Sequence, residues 1–146
     1  MKRFLFVILV LIIVFLGWYY LKHPLVAKVK IRNTVFTVDV AATEPQKQLG
    51  LGGRVSMPTD HGMLFPYDHK EQYEYWMKGM QFALDFIWID GKTVADITPN
   101  IPFPEAGETP RIVRPNVPVD KVLEVHAGTI ERVGIKIGDS VEFIDR

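Results

Sequence analysis

The chain has 146 residues, no cysteine, and 17 basic against 17 acidic side chains. Its length suits one domain, and the lack of cysteine excludes thiol catalysis, iron–sulfur clusters and cysteine-ligated zinc. Residues 28–146 carry 14 Lys+Arg and 17 Asp+Glu, a net charge of −3 with no basic stripe, so no nucleic-acid partner is expected.

The N-terminus differs sharply from the rest. After Lys2 and Arg3, the run from Phe4 to Leu21 holds no charge. As a helix it reaches roughly 27 Å, close to the hydrocarbon thickness of a bilayer. Trp18, Tyr19 and Tyr20 end the run, where aromatic side chains favour the membrane interface. A cleaved secretory signal is the competing reading. Its best small-x-small site, Leu25-Val26-Ala27, carries a bulky first residue, and no cysteine follows for lipoprotein processing. Residues 1–22 are therefore expected to be a transmembrane anchor (or signal segment), 23–28 a linker, and 29–146 one domain. Lys22, Lys28, Lys30 and Arg32 follow the helix, so the charge bias by itself does not place the N-terminus inside. A short N-terminal tail before a first apolar segment behaves as a signal anchor. That points to a single-pass protein of the cell membrane, held through residues 4–21, with its C-terminal domain extracytoplasmic.

Beyond His23-Pro24 the periodicity becomes two. Val29 and Ile31, then Val35 to Val40, predict a hairpin turning at Asn33-Thr34. Thr43 and Gln46 have the spacing of a capping box, with Pro45 tolerated in the first turn, so a short helix starts here and ends by Gly52-Gly53. Apolar runs at Met63–Phe65, Tyr73–Met77, Phe82–Ile89 and Val94–Ile97 predict strands, with Asp90-Gly91 as a hairpin turn. Pro99 to Pro118 holds six of the ten prolines. It reads as a stiff loop or edge segment. Lys121–His126 is a further strand, Thr129–Val133 a helical turn, and Val141–Ile144 a last strand after a Gly138-Asp139 turn. The fold class is mainly β (α+β): a small barrel-like or strongly bent sheet with two short helices, preceded by one N-terminal transmembrane helix.

Four segments in order carry a resemblance. They are Gln48-Leu49-Gly50-Leu51-Gly52-Gly53-Arg54; Gly62-Met63-Leu64-Phe65; Trp76-Met77-Lys78 with Leu84-Asp85-Phe86-Ile87; and Leu123-Glu124-Val125 with Ala127-Gly128, Gly134-Ile135 and Gly138-Asp139. Together they resemble the bacterial and archaeal domain of unknown function 192 family over residues 29–144. The resemblance implies a compact β-rich domain, often behind a signal or membrane segment, and no established reaction. The chain departs from that pattern at Gly79-Met80, where Asn-Thr is more common, and at Ala83, where Pro is usual. Gly134 to Phe143 is also similar to the Gly-Asp turn of small swapped-hairpin and double-psi barrels, where Asp bonds nearby backbone N–H groups.

Five residues are candidates for a ligand-binding cleft. Trp76 and Lys78 could form an aromatic and cationic lip, although strand alternation alone would bury such a tryptophan. Asp85 interrupts an apolar strand and must be either bonded or functional. Arg54 could bind an anion or Asp85, or simply close the helix terminus. Glu124 is similarly ambiguous in its strand. Asp60-His61 and Asp68-His69 form weak metal candidates through His61 and His69, but their spacing matches no ligand motif. His126 is expected to pack at a strand end. No nucleophile elbow or phosphate loop is present, and no cofactor is expected. The leading expectation is a non-catalytic ligand-binding or accessory domain with an unknown small-molecule or protein partner. A cell-envelope enzyme using Asp85 or Glu124 as acid or base is the first alternative. A structural interaction module docking through residues 99–118 is the second.

Overall fold

The computed structural model describes residues 2–22 and 25–144, with side chains at 4–19 and 25–144. The elements run α1 (Lys2–Lys22), β1 (Leu25–Ile31), β2 (Thr34–Val40), α2 (Glu44–Leu49), β3 (His61–Glu71), β4 (Tyr75–Trp76), β5 (Leu84–Asp90), β6 (Thr93–Ile101), β7 (Ile112–Val113), β8 (Val119–His126), α3 (Thr129–Val133) and β9 (Val141–Ile144). Seven strands form one sheet in the order β6-β5-β8-β3-β2-β1-β9, and β4 and β7 form a two-stranded flap. All pairings are antiparallel except β2 with β3.

The sheet is a strongly curled half-barrel. Its outermost strands meet at one end, where Thr93 bridges Ser140 and Val94 exchanges backbone bonds with Gly138 and Asp139. Gly138 has a φ of 93°, open to glycine, and Asp139 Oδ2 accepts the Lys136 N–H at 2.8 Å. The Gly-Asp turn expected from the sequence is therefore present.

Alternation along the strands sorts two cores. Val29, Phe36, Leu64, Ile87, Leu123 and Val141 fill the concave interior with Ile130 of α3. Met63, Phe65, Phe86, Trp88 and Val122 face the other way, beneath β4, Met77, Met80 and Leu51. The central strands β3, β5 and β8 are thus buried on both faces, which is why Leu84–Ile89 reads as an almost continuous apolar run. The outer core is aromatic. Tyr75 meets Phe65, Phe86 and Trp88 edge-on at ring distances of 5.1, 5.8 and 5.7 Å.

Several boundaries differ from expectation. The residues predicted as a linker, 23–28, already join the sheet at Leu25, which pairs with Val40; His23-Pro24 lies outside the described residues. The first hairpin turns at Arg32-Asn33, with Arg32 at φ 56°. Tyr73–Met77 shortens to β4, because only the flap offers it a partner. The proline segment is partly regular: β6 continues through Pro99 to Ile101, since an edge strand tolerates a residue that cannot donate to the ladder.

In α1 every described side chain, Phe4 to Tyr19, is exposed. Phe15 packs on Trp18 and Tyr19. Among the described residues no helix is long and apolar enough to cross a membrane. The transmembrane helix expected over Phe4–Leu21 is not found among them.

Candidate functional site

A hollow lies on the outer face of the sheet, between α2 and the flap. Its volume is about 310 Å³, at the small end for ligand sites. Local sequence builds each wall. Thr43 caps α2 through Gln46, whose side chain in turn accepts the N–H groups of Ala42 and Thr43. After Leu49 the chain turns through Gly50 at φ 51°, over the ring of Phe65. A Cβ at Gly52 would stand 2.9 Å from the Leu49 carbonyl oxygen, so only glycine fits there. The Gly53 N–H then donates to the Gly79 carbonyl at 2.9 Å, which ties this wall to the Lys78-Gly79 turn. Gly79 sits at φ 73°, a conformation open to Gly and Asn alike, so the departure from Asn costs the backbone nothing.

Glu124 forms the floor. It lies on β8 opposite Met63 of β3 and Phe86 of β5, on the outward-facing side, and is 5% exposed. Among the described residues its carboxyl makes no hydrogen bond or ion pair. No side-chain oxygen sealed from solvent lacks a partner there, so this carboxyl opens onto the cavity. Burial pushes it up to about 8, while the charge of Arg54 acts in the opposite sense. Beside it Tyr75, held well above the ordinary phenol range by burial, bonds Tyr67 hydroxyl to hydroxyl at 2.7 Å.

The mouth is mixed. Trp76 is 56% exposed and carries Lys78 Nζ 5.2 Å from its ring centroid. Leu49 and Ile112 are exposed beside it, and Glu74 adds an acid. Lys47 pairs with Glu44 at 3.2 Å and lies over the Tyr67 ring.

Three of the five expected cleft residues therefore meet: Trp76, Lys78 and Glu124. The other two do not. Arg54 turns aside to Asp39, at 2.6 Å, and reaches Glu124 only through its field. Asp85 faces the barrel interior on the opposite side of the sheet. It is fully buried and accepts the N–H groups of Asn100, Gly128 and Ile130 at 2.7, 3.2 and 2.8 Å. Those bonds fasten the first turn of α3 and the end of β6 to β5. A carboxylate so fully bonded is structural, and a catalytic role for Asp85 is set aside. Sequence reasoning missed Lys47, Tyr67, Glu74 and Tyr75. The signal for the last three was the aromatic-rich stretch at residues 67–76, which cannot be assigned to a wall without the fold.

His61 bonds its neighbour Asp60, whose carboxyl this contact holds below the usual range, and His69 pairs with Glu71. Among the described residues no three metal-ligating side chains gather. His126, at the end of β8, packs tilted against Phe82 with ring centroids 4.8 Å apart and bonds the Met57 carbonyl.

A family profile described as uncharacterised ACR, DUF192, matches residues 27–143. The chain belongs to the DUF192 family. A crystal structure of a protein from Sinorhizobium meliloti 1021, described as a candidate transcription regulator, is 32% identical, with a TM-score of 0.74 over 82% of this chain and 95% of that one. A protein of unknown function from Novosphingobium aromaticivorans DSM 12444 is 29% identical, with a TM-score of 0.69 over 80% of this chain and 84% of that one. No curated protein matches the chain.

Proposed function

We propose that this DUF192 chain is a membrane-anchored, extracytoplasmic ligand-binding module whose ligand enters the cavity over Glu124. The observation that carries the reading is the buried carboxyl left without a partner at the floor of a pocket. The carboxyl opens onto the cavity with no protein partner among the described residues, and a ligand donor entering there would supply one. The anchor part of the reading rests on the sequence alone, in which Phe4 to Leu21 runs for eighteen residues without a charge. The regulatory role in the name of the Sinorhizobium meliloti protein finds no support in a domain of net charge −3.

A second reading has one observation in its favour. A carboxyl near 8 is protonated at neutral pH and suits a general acid. In that case Glu124, not Asp85, serves the envelope enzyme.

The test is a binding and turnover screen on the full chain in mild detergent. A ligand at one hundred times its dissociation constant stabilises by about 2.7 kcal/mol. A stabilising ligand that moves the Trp76 indole resonance, with no product formed, supports the binding module. Turnover lost in Glu124→Gln would replace it with the enzyme. Anchoring is checked separately by alkaline extraction of membranes and by protease access to the domain from outside intact cells.

A further inference from the structure

Three features of the cavity restrict its ligand beyond the reading above, on which this inference rests. The floor offers one carboxyl and otherwise the apolar or aromatic surfaces of Leu51, Phe65, Tyr75 and Met80. About 310 Å³ admits a single side chain or a molecule of that size, not a polymer. The mouth holds both signs of charge, Glu74 and Lys78, on either side of the exposed Trp76.

We infer that the cavity takes an alkylammonium group of the lysine type, its ammonium seated on Glu124, its apolar stem between Leu49, Trp76 and Met80, and its zwitterionic or peptide end between Glu74 and Lys78. A neutral hydroxyl would bond Glu124 but leave it uncharged. An ammonium both donates and stabilises the ionised carboxylate, which is the stronger pairing in a low-dielectric setting. Lys78 makes no ion pair among the described residues and lies on the indole face, where it is available to an acid group at the mouth. Arg54 does not compete for Glu124, because Asp39 holds it. Lys47 does not either, being held by Glu44.

Binding carries a proton signature. The titratable and charged groups around the cavity are Tyr67 of β3, Glu74 just before β4, Tyr75 of β4, Lys47 of α2 and Lys78 of the adjoining turn, with Arg54 acting on Glu124 through its field. Glu124, pushed up to about 8 by burial, changes its charge near neutrality. At about pH 7 it holds a proton that a seated ammonium expels.

The experiment uses the full chain in detergent with four probes: lysine, norleucine, the Nα-acetyl amide of lysine, and N-acetylglucosamine. Calorimetry in two buffers of different ionisation enthalpy reads affinity and protons released. Norleucine lacks only the terminal amine, so lysine is expected to bind about tenfold or more tightly, releasing close to one proton at about pH 7 and almost none at about pH 9. Glu124→Gln should abolish both the preference and the release while the protein stays folded. Preference for the acetylated amide over free lysine assigns the group to a peptide; the reverse assigns it to a free amino acid. Equal binding of lysine and norleucine, or a preference that survives Glu124→Gln, overturns the inference. N-acetylglucosamine binding at Trp76 with no response to lysine overturns it too, yet leaves the binding module standing. Silence from all four probes in a folded protein removes both.

Discussion

Two acids stand on neighbouring strands, one residue out of register, and have opposite fates. Asp85 pairs with Val125 across the β5–β8 ladder, and Glu124 pairs with Phe86. One step along a strand turns the side chain to the other face. Asp85 thereby enters the barrel interior, where three backbone N–H groups at the ends of β6 and α3 converge on it. Glu124 enters an aromatic outer layer that offers none. Burial is nearly the same in both, so burial alone does not separate a structural acid from a candidate binding acid. The supply of donors does. The outer acid is left short because the strand ladder already uses its neighbours' N–H groups, and the surrounding side chains are apolar or turned elsewhere.

The comparison breaks most dramatically at Asp85. Asp85→Ala strands three backbone donors at about 1–3 kcal/mol each. A loss of about 5 kcal/mol is expected, a large part of a domain's whole stability, read as a collapse of the urea midpoint or a failure to fold. Full retention of the midpoint would show that the three bonds hold nothing.

Glu124→Gln should act with the opposite sign. The free carboxyl has its ordinary value near 4.5 and the folded one about 8, so between these values the folded state holds a proton that the unfolded chain has released. Stability therefore falls as pH rises through that window, and does not vary with pH through this group on either side of it. At 1.36 kcal/mol per unit the cost above the window is at most about 5 kcal/mol, and relaxation of the open pocket lowers it to about 2–4. Glu124→Gln should raise the melting temperature at about pH 9 and change it little at about pH 4. A difference that does not depend on pH would show that the acid is already charged and satisfied.

A smaller effect tests the close packing of β3 on β8. A Cβ at Gly62 would stand 2.6 Å from the Glu124 carbonyl oxygen, with Val125 and Leu123 side chains behind it at 3.1 and 3.2 Å. Gly62→Ala should cost about 1–3 kcal/mol, and it should also move Glu124 and loosen ligand binding. The smallest stability effect belongs to Trp76→Ala. The side chain is more than half exposed, so stability should stay within about 0.5 kcal/mol, while any ligand of the cavity loses affinity. Equal loss of stability at Trp76 and at Gly62 would mean that the mouth is part of the core.

Much of the local structure was legible in the chain itself. Thr43 and Gln46 announce their helix, because a capping box is written within four residues. The strand at residues 84–89 follows from its apolar run before the Asp90-Gly91 turn, and the Gly138-Asp139 turn from its own side chain. The anionic balance of residues 28–146 and the lack of thiols likewise needed no fold. The site was legible only in part. Trp76, Lys78 and Glu124 could be named as candidates, but so could Arg54 and Asp85, for each is a polar or aromatic residue where an apolar one would serve. What separates them is a matter of partners far along the chain. Asp39 takes Arg54 from 15 positions away, and the donors for Asp85 come from 15 to 45 positions away. The sequence by itself determined that Asp85 and Glu124 stand in apolar strands, where a carboxyl must be bonded or functional. Only the tertiary structure decided which of them would be satisfied, because hydrogen-bond donors reach a buried carboxyl through the curl of the sheet and not through its neighbours in sequence.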